Sequence, residues 1–86
     1  MRAVITVIGK DTVGILTKVS GICTEYNANV IEVTQSVLQD MFAMIMLVDI
    51  SKLNKNFTEL RKATEQRLKN SREALETAIN GGGKDA

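Results

Sequence analysis

The chain has 86 residues, of which 44% are hydrophobic and 24% charged, with a formal net charge of +1. That length allows one domain around one modest core, marginal in stability by itself, and the balance is that of a globular chain rather than a disordered one. Near-neutral charge offers no bulk attraction for nucleic acid or for an anionic membrane surface.

Residues 3–8 are almost all β-branched or apolar and run into Gly9, which reads as a buried strand. The run is too short for a signal peptide or a membrane span, so the cytoplasm is the expected compartment. The loop Gly9-Lys10-Asp11-Thr12-Val13-Gly14 follows, with two glycines and two potential helix caps, Asp11 and Thr12. Ile15, Val19, Ile22 and Tyr26 then recur at helical spacing, widened by Leu16 and Cys23, so an amphipathic helix is expected to lie on a sheet. Asn27-Ala28-Asn29 ends it, because asparagine tolerates the left-handed turn back.

Residues 30–38 alternate, Ile31, Val33 and Val37 against Glu32, Thr34 and Ser36, as a strand does with one buried face and one wet one. Gln39-Asp40 supplies a turn into residues 41–50, a strand apolar on both faces: Phe42, Met44, Met46 and Val48 against Met41, Ala43, Ile45 and Leu47. Its richness implies a central strand and a partner beyond the sheet. After a polar connection the spacing predicts a helix over 57–80, with Phe57, Leu60, Leu68, Leu75 and Ile79 on a stripe thinned by Thr64 and Ser71. Residues 51–86 carry 8 basic and 5 acidic side chains, which reads as a solvated, salt-bridged helix before a nucleic-acid patch. Gly81-Gly82-Gly83 is expected to stop the helix. The resulting order is β-α-β-β-α, a domain over 1–80 followed by a Gly-rich flexible tail over 81–86.

The chain contains no histidine, and its one cysteine, Cys23, sits on an apolar helical stripe. A Ser-His or Cys-His pair cannot be built, nor a disulfide or a structural zinc cluster. The acidic residues are scattered, so no catalytic residue, metal site or cofactor is expected. Met41, Met44 and Met46 read as core filling, with an adaptable binding surface as the secondary reading. The loop 9–14 matches neither the phosphate-binding Walker pattern nor the dinucleotide glycine pattern. Taken bare it reads equally as turn chemistry or as a site. In the second reading, free amides of a helix N-terminus take a carboxylate while the Asp11 carboxylate takes an ammonium, which together suit a free amino acid.

The stretch Val4-Ile5-Thr6-Val7-Ile8-Gly9-Lys10-Asp11-Thr12-Val13-Gly14-Ile15 resembles the opening of ACT domains, whose first strand feeds a loop of the form Gly-x-Asp-x-x-Gly-Ile. Asn29-Val30-Ile31-Glu32-Val33-Thr34-Gln35 and Met44-Ile45-Met46-Leu47-Val48-Asp49-Ile50-Ser51-Lys52-Leu53 narrow the resemblance to the small UPF0237 group, relatives of glycine-cleavage repressor type regulators. It covers about residues 3–62. The resemblance implies an α+β, ferredoxin-like ACT fold, an antiparallel sheet with two helices on one face. It also implies self-association, expected as a homodimer, and a small ligand, an amino acid, at the subunit interface. The ligand loop would hold Asp11, Thr12 and Gly14, with backbone amides from Val13 and Ile15, and Asn29 and Ile31 near the pocket. The class implied is a non-catalytic regulatory domain. The alternative is a protein–protein interaction module with a vestigial pocket. This sequence departs from the family's pattern at its end: the helix reading leaves the final strand missing and the first strand as an exposed edge, which a second copy would have to cover.

Overall fold

The computed structural model describes residues 1–10, 12–70 and 74–81. Six elements follow in chain order: β1 (Arg2–Gly9), α1 (Thr12–Tyr26), β2 (Asn29–Leu38), β3 (Met41–Asp49), α2 (Phe57–Asn70) and β4 (Ala74–Gly81). The four strands form one antiparallel sheet in the order β2-β3-β1-β4. This is the ferredoxin-like ACT arrangement, with the order β-α-β-β-α-β.

One expectation is overturned. The final strand is present, and the second helix stops at Asn70 instead of running to Asn80. Residues 71–73, part of the expected helix, lie outside the described residues, as do residues 82–86 of the expected tail; Gly81 is the last residue of β4. Leu75 and Ile79 are four apart, a spacing that suits one face of a helix and equally the same side of a strand. The β1 edge decides between them. β4 pairs along β1 with Ile79 opposite Ile5 and Thr77 opposite Val7. No second copy is therefore needed on that edge, and the outer strands of the sheet, unpaired among the described residues, are β2 and β4.

One face of the sheet carries the core. Ala3, Ile5 and Val7 of β1, Phe42, Met44, Met46 and Val48 of β3, and Ile79 of β4 are buried on it. Ile15, Val19, Ile22 and Cys23 of α1 and Leu60 and Leu68 of α2 close over them in one continuous cluster. Thr64, which thinned the stripe in the sequence, is fully buried and its hydroxyl donates to the Leu60 carbonyl at 2.8 Å. That hydrogen bond removes the cost of placing a hydroxyl among apolar neighbours. Cys23 is buried, and desolvation pushes its thiol up to about 11.

The helices are ended by identifiable contacts. Asn27 adopts φ 61°, and the Ala28 amide donates back to the Cys23 carbonyl at 2.8 Å, closing α1 in a Schellman turn. The Asn54 side chain donates to the Glu25 carbonyl at 2.9 Å and so covers another of the last acceptors of α1. Asn56 caps α2, accepting from the Glu59 amide at 2.8 Å. Gln39, at φ 57°, turns the two-residue loop between Leu38 and Met41.

Glu25 and Arg67 tie α1 to α2 through a paired contact of 2.9 and 2.6 Å. The hydrogen bond from Arg67, reinforced by its charge, holds the Glu25 carboxyl below its ordinary range. A carboxylate with a lowered folded pKa stabilises above its unfolded pKa and loses that contribution as pH falls through the folded value. Arg67→Met is expected to return the Glu25 titration, followed by side-chain NMR, towards the ordinary value. The variant should then lose less stability than the wild type between neutral and acid pH. An unchanged Glu25 titration would contradict the pairing.

Candidate functional site

β1 ends at Gly9, and α1 starts at Thr12, so the chain turns from sheet to helix within a few residues. The consequence is a helix N-terminus, the positive end of the helix dipole, held at one end of the sheet. Asp11, the residue the loop reading centres on, lies outside the described residues. Thr12 is the first residue of α1. Val13 is 74% exposed, Gly14 is half-buried and Ile15 is fully buried in the core. The side chain of Ile15 is thus committed to packing, and only its backbone can face a ligand. No acidic side chain occupies the first turn of α1 to oppose an anion there.

Asn29 and Ile31 lie elsewhere. Asn29 pairs with Asp49, and Asp49 with Arg2, at the end of the sheet opposite to Gly9. The length of β1 separates the two groups by roughly 23 Å, from the rise of about 3.3 Å per residue in a strand. The structure therefore brings residues 12–15 together, and places Asn29 and Ile31 together at the far end. Within one chain it does not unite the two sets. Ile31 is 44% exposed and sits where the β2 register shifts, between Val30 opposite Val48 and Glu32 opposite Leu47. The bulge gives Ile31 no direct partner on β3.

Around Asn29 the structure forms a cleft of about 280 Å³ lined by Asn27, Asn29, Asp49, Ser51 and Lys52. The sequence reading missed four of these. Asn27 reaches the cleft because its left-handed turn aims the side chain across, where its amide donates to the Lys52 carbonyl at 2.8 Å. Asp49 Oδ1 accepts from the Ser51 amide at 2.9 Å, and the N-terminal ammonium lies 4.0 Å away. The Ser51 hydrogen bonds, aided by that ammonium and by Arg2, hold the Asp49 carboxyl below its usual range. The local signal was present in Asp49-x-Ser51, the pattern of a carboxylate capping a turn two residues on. What was not readable was its neighbour across the sheet.

The cleft offers a carboxylate, an ammonium, a hydroxyl and amides within one wall, polar groups suited to orienting a small polar molecule. Among the described residues, no group of His, Cys, Asp and Glu is placed to hold a metal ion. No described helix is long and apolar enough to cross a membrane.

The comparisons with known proteins agree with the architecture. The family model for the ACT domain matches residues 2–78. A UPF0237 protein of Clostridium perfringens is 47% identical over 72 residues, spanning 83% of this chain and 81% of its own. An ACT domain protein of Streptococcus pneumoniae has a similar structure, with a TM-score of 0.71 at 36% identity over 93% of this chain and 85% of that one. A candidate glycine cleavage system transcriptional repressor superposes with a TM-score of 0.76 at 10% identity, over 92% of this chain and 45% of that one, which shows a shared fold alone. With its two helices on one face of a β2-β3-β1-β4 sheet and its match across nearly the whole length, this chain belongs to the ACT domain family, in its UPF0237 group.

Proposed function

We propose that this protein is a non-catalytic regulatory domain that binds an amino acid, or a similar small zwitterion, where two copies meet. The observation that carries the reading is the split of the candidate residues between opposite ends of the sheet. A loop with helix amides at one end and an asparagine-lined cleft at the other are each half of a zwitterion site. They meet only when a second copy runs antiparallel to the first.

The free edge of β2 supports such a copy. Its ten residues are exposed almost throughout, including Val30 at 37%, Val37 at 75% and Leu38 at 60%. An unpaired edge with apolar side chains recruits another strand. Two-fold pairing of β2 with β2 centred between Val33 and Thr34 sets Asn29 opposite Leu38 of the other copy, at the end of the sheet where the loop 9–14 lies. The ligand carboxylate would then accept from amides at Val13 and Ile15, with Gly14 in the same loop, the ammonium would face Asp11, and Asn29 and Ile31 of the second copy would close the site. Thr12 opens the helix that supplies the amides. Ligand binding would favour the paired form, and this linkage is how occupancy reaches a regulated partner. A single, buried cysteine, Cys23, suits a reducing compartment, the cytoplasm.

A thermal-shift screen against the twenty protein amino acids tests the reading. A ligand at 100-fold over its Kd is expected to add about 2.7 kcal/mol to stability. Asp11→Ala should fold like the wild type and lose that gain. If no amino acid raises the melting temperature, the second reading takes over: an interaction module whose exposed β2 edge docks a protein and whose pocket is vestigial.

A further inference from the structure

The sheet has a second face. Its two central strands present Val4, Thr6 and Ile8 of β1 and Ala43, Ile45 and Leu47 of β3 there, on the side away from α1 and α2. An antiparallel sheet that meets water on one side normally alternates to polar residues on that side. Here the centre of the outer face carries no charge, Ile45 is 47% exposed, and among the described residues no element covers it. The charged residues of this face stand at its margins. Glu32 is at one corner, in the row Glu32–Leu47–Val4–Asn80, and Glu76 at the diagonal corner, in the row Ser36–Ala43–Ile8–Glu76. Arg2 and Asp49 are paired at one end. An apolar centre within a polar rim is the anatomy of an interface.

We propose that this face packs against the same face of a second copy, two sheets back to back about a two-fold axis close to the strand direction. Such an axis lays β1 of one copy over β3 of the other, with the rows in step. Val4 meets Leu47, Thr6 meets Ile45 and Ile8 meets Ala43, each twice. Arg2 of each copy faces Asp49 of the other, so the one pair of opposite charges becomes two reciprocal contacts across the interface. At the corners Glu32 meets Asn80 and Glu76 meets Ser36, so no carboxylate is set against another. Four strands of eight residues measure roughly 19 by 27 Å, or about 500 Å² per copy and 1,000 Å² in all, the lower bound for a specific association. Aligned sheets pack within about 30° of parallel at a spacing near 10 Å, which side chains of this size fill. The surface is on the opposite side of the sheet from the helices; it shares only Asp49, at one end, with the Asn29 cleft, and Ile45 at its centre is not among the residues that line that cleft.

Sedimentation of the wild type and of Ile45→Lys tests this directly. The wild type is expected to assemble from its 9.4 kDa chain as concentration rises, over about 5–200 μM, as suits an interface of minimal area. Ile45→Lys, at a half-exposed position, should keep the wild-type circular dichroism and show half the assembled mass. Arg2→Asp should weaken association by placing like charges together, and adding Asp49→Arg should restore it. A wild type that stays monomeric throughout, or a folded Ile45→Lys that assembles as the wild type does, would overturn the proposal. The second result with ligand binding intact would leave the β2 edge and the ligand reading standing.

Discussion

Ile79→Ala is expected to remove about 2–4 kcal/mol of unfolding free energy, the range for truncating a buried isoleucine. For a domain of this size that corresponds to a fall in Tm of roughly 10–25 °C. The magnitude follows from position. Ile79 is 5% exposed and lies opposite Ile5, which in turn lies opposite Met46, so the side chain forms one end of a row across the core face. Three of its four side-chain carbons vanish in the variant, and β4 cannot shift to fill the cavity without disturbing its pairing with β1. The same substitution discriminates between two structures. On the outer end of a solvated helix over 57–80, Ile79 would have little to pack against and alanine would be nearly neutral, even favourable by helix propensity. Thermal or urea unfolding of the variant reads the difference.

Gly81→Ala is expected to cost about 1–3 kcal/mol, and Gly21→Ala to gain about 0.5–1 kcal/mol. Gly81 ends β4 at φ 120°, a conformation that side chains rarely adopt, and a Cβ there would stand 2.7 Å from both Ala3 Cα and the Arg2 carbonyl oxygen. Those are backbone atoms of β1, and they cannot swing aside as a side chain does. The cost is limited because Gly81 is the last pair of the ladder and can peel from Ala3. Gly21 is the reverse case. It lies inside α1 with nothing within 4 Å of an added Cβ, so alanine relieves the entropy cost of glycine in a helix. Opposite signs for two glycines in one chain, measured by the same melting experiment, are the expected result. Equal signs would contradict the β4 pairing.

The elements that were legible in the sequence were those whose pattern has one interpretation. The β-branched run ending at Gly9, the helical recurrence from Ile15 to Tyr26 and the two-sided apolar strand 41–49 each reappear, because burial on the faces of one sheet imposes their periods. Thr64 is instructive: its polarity thinned the second helix on paper, yet one hydrogen bond to Leu60 lets it sit fully buried. The C-terminal segment was misread because Leu75 and Ile79 fit two periods, and the choice between them is made by β1, some seventy residues away in the sequence. Local pattern carries no such information. The candidate site divided in the same way. Residues 12–15 are neighbours in sequence and stay so, whereas the partners of Asn29 are set by the register of β2 on β3 and by the turn at Asn27. Asp49, Ser51 and Lys52 entered the cleft only once that register was known.

If the loop of one copy and the Asn29 cleft of another make a single site, as proposed, two variants that each fail alone complement one another. Mixing the two measures that complementation. Asp11→Ala and Asn29→Ala should each abolish calorimetric binding of the amino acid that best stabilises the wild type. In an isologous pair of one of each, one site holds both altered residues and the other holds both native ones, so a freely exchanged equal mixture should recover about a quarter of the wild-type binding capacity. A mixture as silent as its two components, from variants shown to pair, would mean that the two copies do not share a site.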